Sequence, residues 1–287
     1  MFALGLIAAL LASALFNVGV ALQAVEARKA PRSLGLRVSL LRRLLRRPLW
    51  LVGLALGLVG IAPQAVAYEL APFVVVQTCL VAGLFLLLAL GVRLLGERVG
   101  ALEVAGVAAI VVGVALVSWG APAHSETHRG GAVVFAVAAG LAVASLAPFA
   151  VRGTRADLAM VSIIASGCGF AAANIATKLL SDDIDLQHYA NAVAWAAYGL
   201  ATGAAATLTG MSAFQRSPAT TVVPVSTAVQ TFLPVILAPL FLREGWGSSA
   251  VDGAPTLAGI ALAAVGTVLV SRTEAVSEMA AGGAGSS

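Results

Sequence analysis

A small set of polar and aromatic side chains sits inside, or at the ends of, very apolar stretches. Asn17, Gln64, Gln77, Asn174 and Gln230 carry amides, and Thr227 lies with Ser226 and Thr231 in a hydroxyl cluster beside Pro224 and Pro234. Tyr68 and Tyr198 add phenols, and Glu69 and Lys178 add charge near the same level. Polar groups in lipid are costly and mark solute, ion or proton pathways, so these ten residues are the candidate binding set. The amides, hydroxyls and rings would bind and flank a small polar solute. Glu69 would relay a proton or cation, with Lys178 as its counter-charge or as a contact for a solute carboxylate. The alternative for each amide is a hydrogen bond between helices. For Glu69 and Lys178 it is snorkelling to the membrane surface, and for Tyr68 and Trp195 an interfacial aromatic belt.

Other chemistry has little material. There is no phosphate-binding glycine loop, nucleophile triad or pair of carboxylates at membrane depth, so neither an ATP-driven pump nor an intramembrane enzyme is expected. His124, His128 and His188 fall in loops without metal-ligand spacing, and Cys79 and Cys168 read as small apolar residues. No metal site, cofactor or nucleic-acid partner is expected.

The elements that must position these residues follow from composition. Of 287 residues, 60% are hydrophobic and 10% charged, with a mean hydropathy of +0.98. A water-soluble surface needs about 25% charged residues, so the expected class is an all-α polytopic membrane protein. Nine spans are predicted, at approximately 3–25, 49–69, 72–92, 101–119, 131–151, 157–180, 190–211, 218–242 and 255–271. "ALLASA" (Ala9 to Ala14) resembles a signal cleavage site, but no basic residue precedes it and the apolar run continues to Val25, which favours a retained helix.

With the N-terminus outside, 14 of the 17 basic residues fall on the cytoplasmic side, and Arg129, Lys178 and Arg243 on the other. That bias predicts a multi-pass protein of the cell inner membrane with a cytoplasmic C-terminus. Segment 32–48 is too basic to span. On a helical wheel Leu34, Val38, Leu40, Leu41, Leu44 and Leu45 oppose Arg42, Arg43, Arg46 and Arg47, as expected for a helix lying on the anionic inner leaflet. Its alternatives are a topogenic anchor and a lipid-sensing gate.

An internal repeat organises the rest. "AYELAP" (67–72) and "AFQRSP" (213–218) occupy matching positions 146 apart (218 − 72). At the same offset Gly53 and Gly57 fall on Gly199 and Gly203, Tyr68 on Phe214 and Val76 on Val222; one residue of slippage then brings Glu97 onto Glu244, and a six-residue insertion Gly106 and Gly113 onto Gly259 and Gly266. A weaker match pairs Asn17 with Asn174. The second and seventh spans are separated by an odd number of crossings. The two copies, spans one to four and six to nine, are therefore predicted to be inverted, with the fifth span as connector, an arrangement that places a site near the bilayer midplane. The corresponding divisions are 1–120, 121–156, 157–272 and a disordered tail at 273–287. Pro72 should close a tight hairpin, the GxxxG pairs should permit close helix approach, and Glu97 and Glu244 should cap or tether helix ends.

"LLGERVGALEVAGVAAIVVGVALV" (Leu94 to Val117) resembles the end of one EamA-type repeat of the drug/metabolite transporter superfamily, and "LPVILAPLFLREGW" (Leu233 to Trp246) resembles the matching part of a second. The nine-span layout with a basic first loop also resembles the magnesium-transporter branch. The resemblance implies a secondary transporter moving a small organic metabolite or drug-like solute by alternating access. A magnesium or divalent-cation transporter is the first alternative and a non-transporting membrane scaffold the second. The implied partners are the solute and, through 32–48, anionic lipids; a homodimer is compatible with the same reading.

Overall fold

The computed structural model describes residues 2–71, 73–120, 132–152, 157–241 and 253–283, and among them every regular element is helical. Pro72, Glu244, His124 and His128 lie outside the described residues, as does the side chain of Lys178. The long helices are α1 (Phe2–Lys29), α3 (Pro48–Leu70), α6 (Ala101–Gly120), α9 (Leu158–Asp185), α10 (Tyr189–Phe214), α11 (Ala219–Phe241) and α12 (Ala254–Gly283). Between them lie α2 (Val38–Leu44), the pair α4 (Phe73–Ala82) and α5 (Leu84–Leu95), and α7 (Ala132–Ser145) followed by α8 (Ala147–Ala150).

Among the described residues, seven segments are long and apolar enough to cross a membrane: 2–29, 48–70, 75–95, 101–120, 158–177, 219–237 and 254–271. Each coincides with an expected span. The other two expected spans differ. Helix α7 is apolar but has only 14 residues before the chain turns ahead of Pro148. Helix α10 is long enough at 26 residues, but its many Ala, Gly and Thr residues dilute its hydrophobicity. Helix α12 continues to Gly283, through the segment expected to be a tail. Leu10, Leu58, Val143 and Leu200 are among many large apolar side chains on the outside of the bundle. An apolar exterior of that extent suits lipid, not water.

The packing partners are specific. Helix α1 lies along α3, α9 along α10, and α6 along α12. Helices α4 and α5 join α1 to α6, and α11 joins α9 to α12. Glycines set the closest approaches. A Cβ on Gly53 would come within 2.5 Å of the Gly19 carbonyl oxygen, so α1 and α3 touch backbone to backbone there. A Cβ on Gly57 would meet nothing, although its backbone N lies 3.4 Å from where a Gly19 Cβ would stand, so in that GxxxG only Gly53 has to lack a side chain.

Segment 32–48 is not one amphipathic helix. A single 3-10 turn (Arg32–Leu34) leads to Leu36, whose φ of 57° breaks the helix, and α2 is only seven residues long. The Leu36 N–H donates to Ser212 Oγ at 2.9 Å, which holds this left-handed residue in place. Leu40 and Leu44 are buried in the protein core, whereas Val38 and Leu45 are exposed. The leucine face is thus divided between protein and surroundings, while Arg42, Arg43, Arg46 and Arg47 stay exposed.

Candidate functional site

The third apolar segment is broken at Gly83, between α4 and α5. The Gly83 N–H donates to the Leu80 carbonyl at 3.3 Å, a tighter turn than the α-helix makes. Ser13 Oγ from α1 donates to the same carbonyl at 3.0 Å, and Asn17 Nδ2 donates to the Ser13 carbonyl at 2.8 Å. A side chain at position 83 would strike both Ser13 Oγ and Asn17 Nδ2. The break is therefore a fitted contact: glycine leaves room for Ser13 to reach the helix backbone of the neighbouring segment, and for Asn17 to pack beside it while bonding within α1.

One to two turns back along the same helix is a second polar group. Tyr68 Oη donates to Gln77 Oε1 at 2.8 Å, and Gln64 Nε2 reaches Tyr68 Oη at 3.5 Å. From Gln77 to Gly83 is six residues, about 9 Å of helix rise. Three expected site residues, Gln64, Tyr68 and Gln77, are thus joined, while Asn17 lies at the Gly83 break and bonds within α1.

The remaining expected residues stand apart from these. Tyr198 Oη donates to the Ala138 carbonyl at 2.6 Å, and its ring meets Trp195 edge-on at 5.8 Å, with Phe135 stacked on Trp195 at 5.9 Å. That arrangement ties α10 to α7. Asn174 is exposed on α9, Glu69 is exposed at the end of α3, and Thr227 and Gln230 are half-buried on α11. Lys178 lies in α9. Among the described residues no three His, Cys, Asp or Glu side chains come together as a metal would require.

The opposite end of the bundle, where Arg28, Arg98 and Arg216 lie, holds a junction built around one carboxylate. Helix α5 ends on Gly96 in the left-handed conformation (φ 65°), which turns the chain and delivers Glu97. Glu97 accepts from the Ala219 N–H at 2.6 Å and the Thr220 N–H at 2.9 Å, capping α11. Arg28, from the last turn of α1, pairs with Glu97 and points towards the Phe214 and Ser217 carbonyls, each at 3.4 Å. The Glu97 side chain is only 4% exposed. Gly91 completes the fit, because a Cβ there would come within 2.5 Å of Thr220 Cγ2.

Further bonds lace the same end. Gln215 Nε2 donates to the Ala30 and Pro31 carbonyls, and Trp50 Nε1 donates to Met211 Sδ at 3.4 Å. Burial, together with the like charges of Arg32 and Arg152, lowers the pKa of Arg216 from its ordinary value. The expected tethering role of Glu97 has a concrete form here. Arg28 and Ser217 were not singled out in the sequence, where Arg28 reads only as one of many topogenic charges. No family model, curated protein or solved structure matches this chain.

Proposed function

We propose that this membrane protein is a secondary carrier that moves a small organic solute by alternating access between two inverted halves, α1–α6 and α9–α12, with α7 and α8 as connector. The observation that carries the reading is reciprocal glycine packing between α6 and α12. Gly106 packs against Gly266, whose carbonyl oxygen a Cβ would approach to 2.8 Å, and Gly113 packs against Gly259 at 2.7 Å. The repeat equates Gly106 with Gly259 and Gly113 with Gly266. Applying that exchange to the first contact yields the second, so the interface is its own image, as a two-fold axis between antiparallel helices requires. The corresponding pairs α1 with α3 and α9 with α10 support the same relation. An inverted repeat with one helix broken inside the bilayer is the arrangement in which carriers place their sites.

In this reading the solute site lies between the Gly83 break, with Asn17 and Gln77, and the half-buried Thr227 and Gln230 of α11. The basic end faces the cytoplasm, with the N-terminus outside. The exposed arginines of α2 meet anionic inner-leaflet lipid, each contributing about 1 kcal/mol of attraction near such a surface. Purified protein in liposomes should take up a labelled organic solute down an imposed gradient, and Asn17→Ala should lower that uptake at least several-fold. Divalent-cation uptake without solute flux would move the assignment to a metal carrier. Absence of both across a broad panel would leave a scaffold.

A further inference from the structure

The N-terminus of α11 has two caps available and uses one. Its sequence, Ser217–Pro218–Ala219–Thr220, is a serine–proline pair of the kind that favours a serine cap, but in this structure the first helical bond runs from the Val222 N–H to the Pro218 carbonyl at 2.9 Å, and Ser217 stands one residue outside it. Yet Ser217 Oγ is buried and has no hydrogen-bond partner among the described residues. The amides a serine cap would take, at Ala219 and Thr220, are held by Glu97 from the other half of the molecule. A buried hydroxyl left idle is unfavourable, so its retention beside an occupied cap calls for a reason.

We propose that Glu97 and Ser217 are alternative caps of α11, and that exchange between them is the latch of the basic end. With Glu97 in place, the loop after α5 is tied to α11 and to Arg28, and the basic end is closed. When the halves part at this end, Glu97 leaves with Arg28, and Ser217 Oγ turns onto one of the two released amides. The other is left to water at the opened end. Part of the cost of opening is thereby removed. Such an element has two discrete arrangements and so can switch instead of deforming gradually. Gly96 and Gly91 serve the closed arrangement only, one by turning Glu97 inward and the other by letting α5 approach Thr220.

The inference rests on the carrier reading for its purpose, but not for its test. Spin labels at Leu94→Cys and Phe149→Cys, both exposed positions flanking this end, would be placed in a Cys79→Ala, Cys168→Ala chain. The parent should give one short distance population. Glu97→Gln keeps the side chain's shape but removes its charge, and should raise a longer population by about tenfold. Arg28→Gln should act in the same direction. Adding Ser217→Ala to Glu97→Gln should reduce the longer population again, because the open state loses its cap. A purely structural Glu97 predicts no such reversal. Unchanged distances in both single variants would overturn the proposal, as would a double variant no different from Glu97→Gln. Flux is scored separately in liposomes. The predicted distance changes without flux would leave the latch standing and the carrier fallen; flux with unresponsive distances would do the reverse.

Discussion

At the scale of single residues, the structure turns on places where a side chain is missing. Gly83 exists because Ser13 and Asn17 occupy the space its Cβ would need. Gly83→Ala should push Ser13 off the Leu80 carbonyl and destabilise the protein in detergent by about 1–3 kcal/mol, through overpacking and a lost hydrogen bond. Ser13→Ala in the same chain should make the pair less damaging than the sum of the singles, since the two changes compete for one volume. Additive losses in a denaturation double-mutant cycle would mean that the contact does not matter. Asn17 was legible in the sequence as an amide in an apolar helix. The break was not, because a glycine between Ala82 and Leu84, with no proline beside it, carries no local signal that a helix ends. Glu97 was legible through its place in the repeat, whereas its partners come from α1 and from the turn before α11, which only the fold brings together.

At the scale of elements, most helices could be read directly, because a long apolar stretch in lipid has no other way to satisfy its backbone. The repeat aligned Gly106 with Gly259 and Gly113 with Gly266, but that these glycines bring α6 against α12 is visible only in the fold. Gly113→Val should force these helices apart where the Gly259 carbonyl lies 2.7 Å from the would-be Cβ. The loss should be about 1–3 kcal/mol, and Gly266→Val, its repeat counterpart, should cost a similar amount. A thermal-shift comparison checks this, and a large loss at one position with none at the other would argue against equivalence of the two helices. Segment 32–48 was misread as a continuous helix because its leucine and arginine spacing is helical. What breaks it is a tertiary bond from Leu36 to Ser212, 176 residues away, which no local pattern carries. The end of α7 has a local cause instead: its apolar run continues, but the chain turns at Ser145, whose hydroxyl bonds back to the Ala142 carbonyl at 2.7 Å, three residues ahead of Pro148.

At the scale of the whole molecule, the two ends differ. At the basic end Glu97, Gln215, Ser212 and Met211 bind α1, α3 and the loop after α5 to α10 and the start of α11, and the buried core beneath includes Phe214, Val222 and Val225 beside Leu87 and Val107. At the other end Tyr68 and Glu69 are exposed. This asymmetry is what a carrier caught closed on one side would show. It depends on the ends of α3 and α10, which the repeat places in equivalent positions, reaching opposite faces of the bilayer. The most direct measurement is labelling by a membrane-impermeant thiol reagent in intact, oriented vesicles, with Glu69→Cys and Arg216→Cys tested singly in a chain lacking Cys79 and Cys168. Inverted halves predict that reagent outside modifies one position and reagent inside modifies the other. Modification of both from the same side would contradict the opposed halves, and with them the carrier.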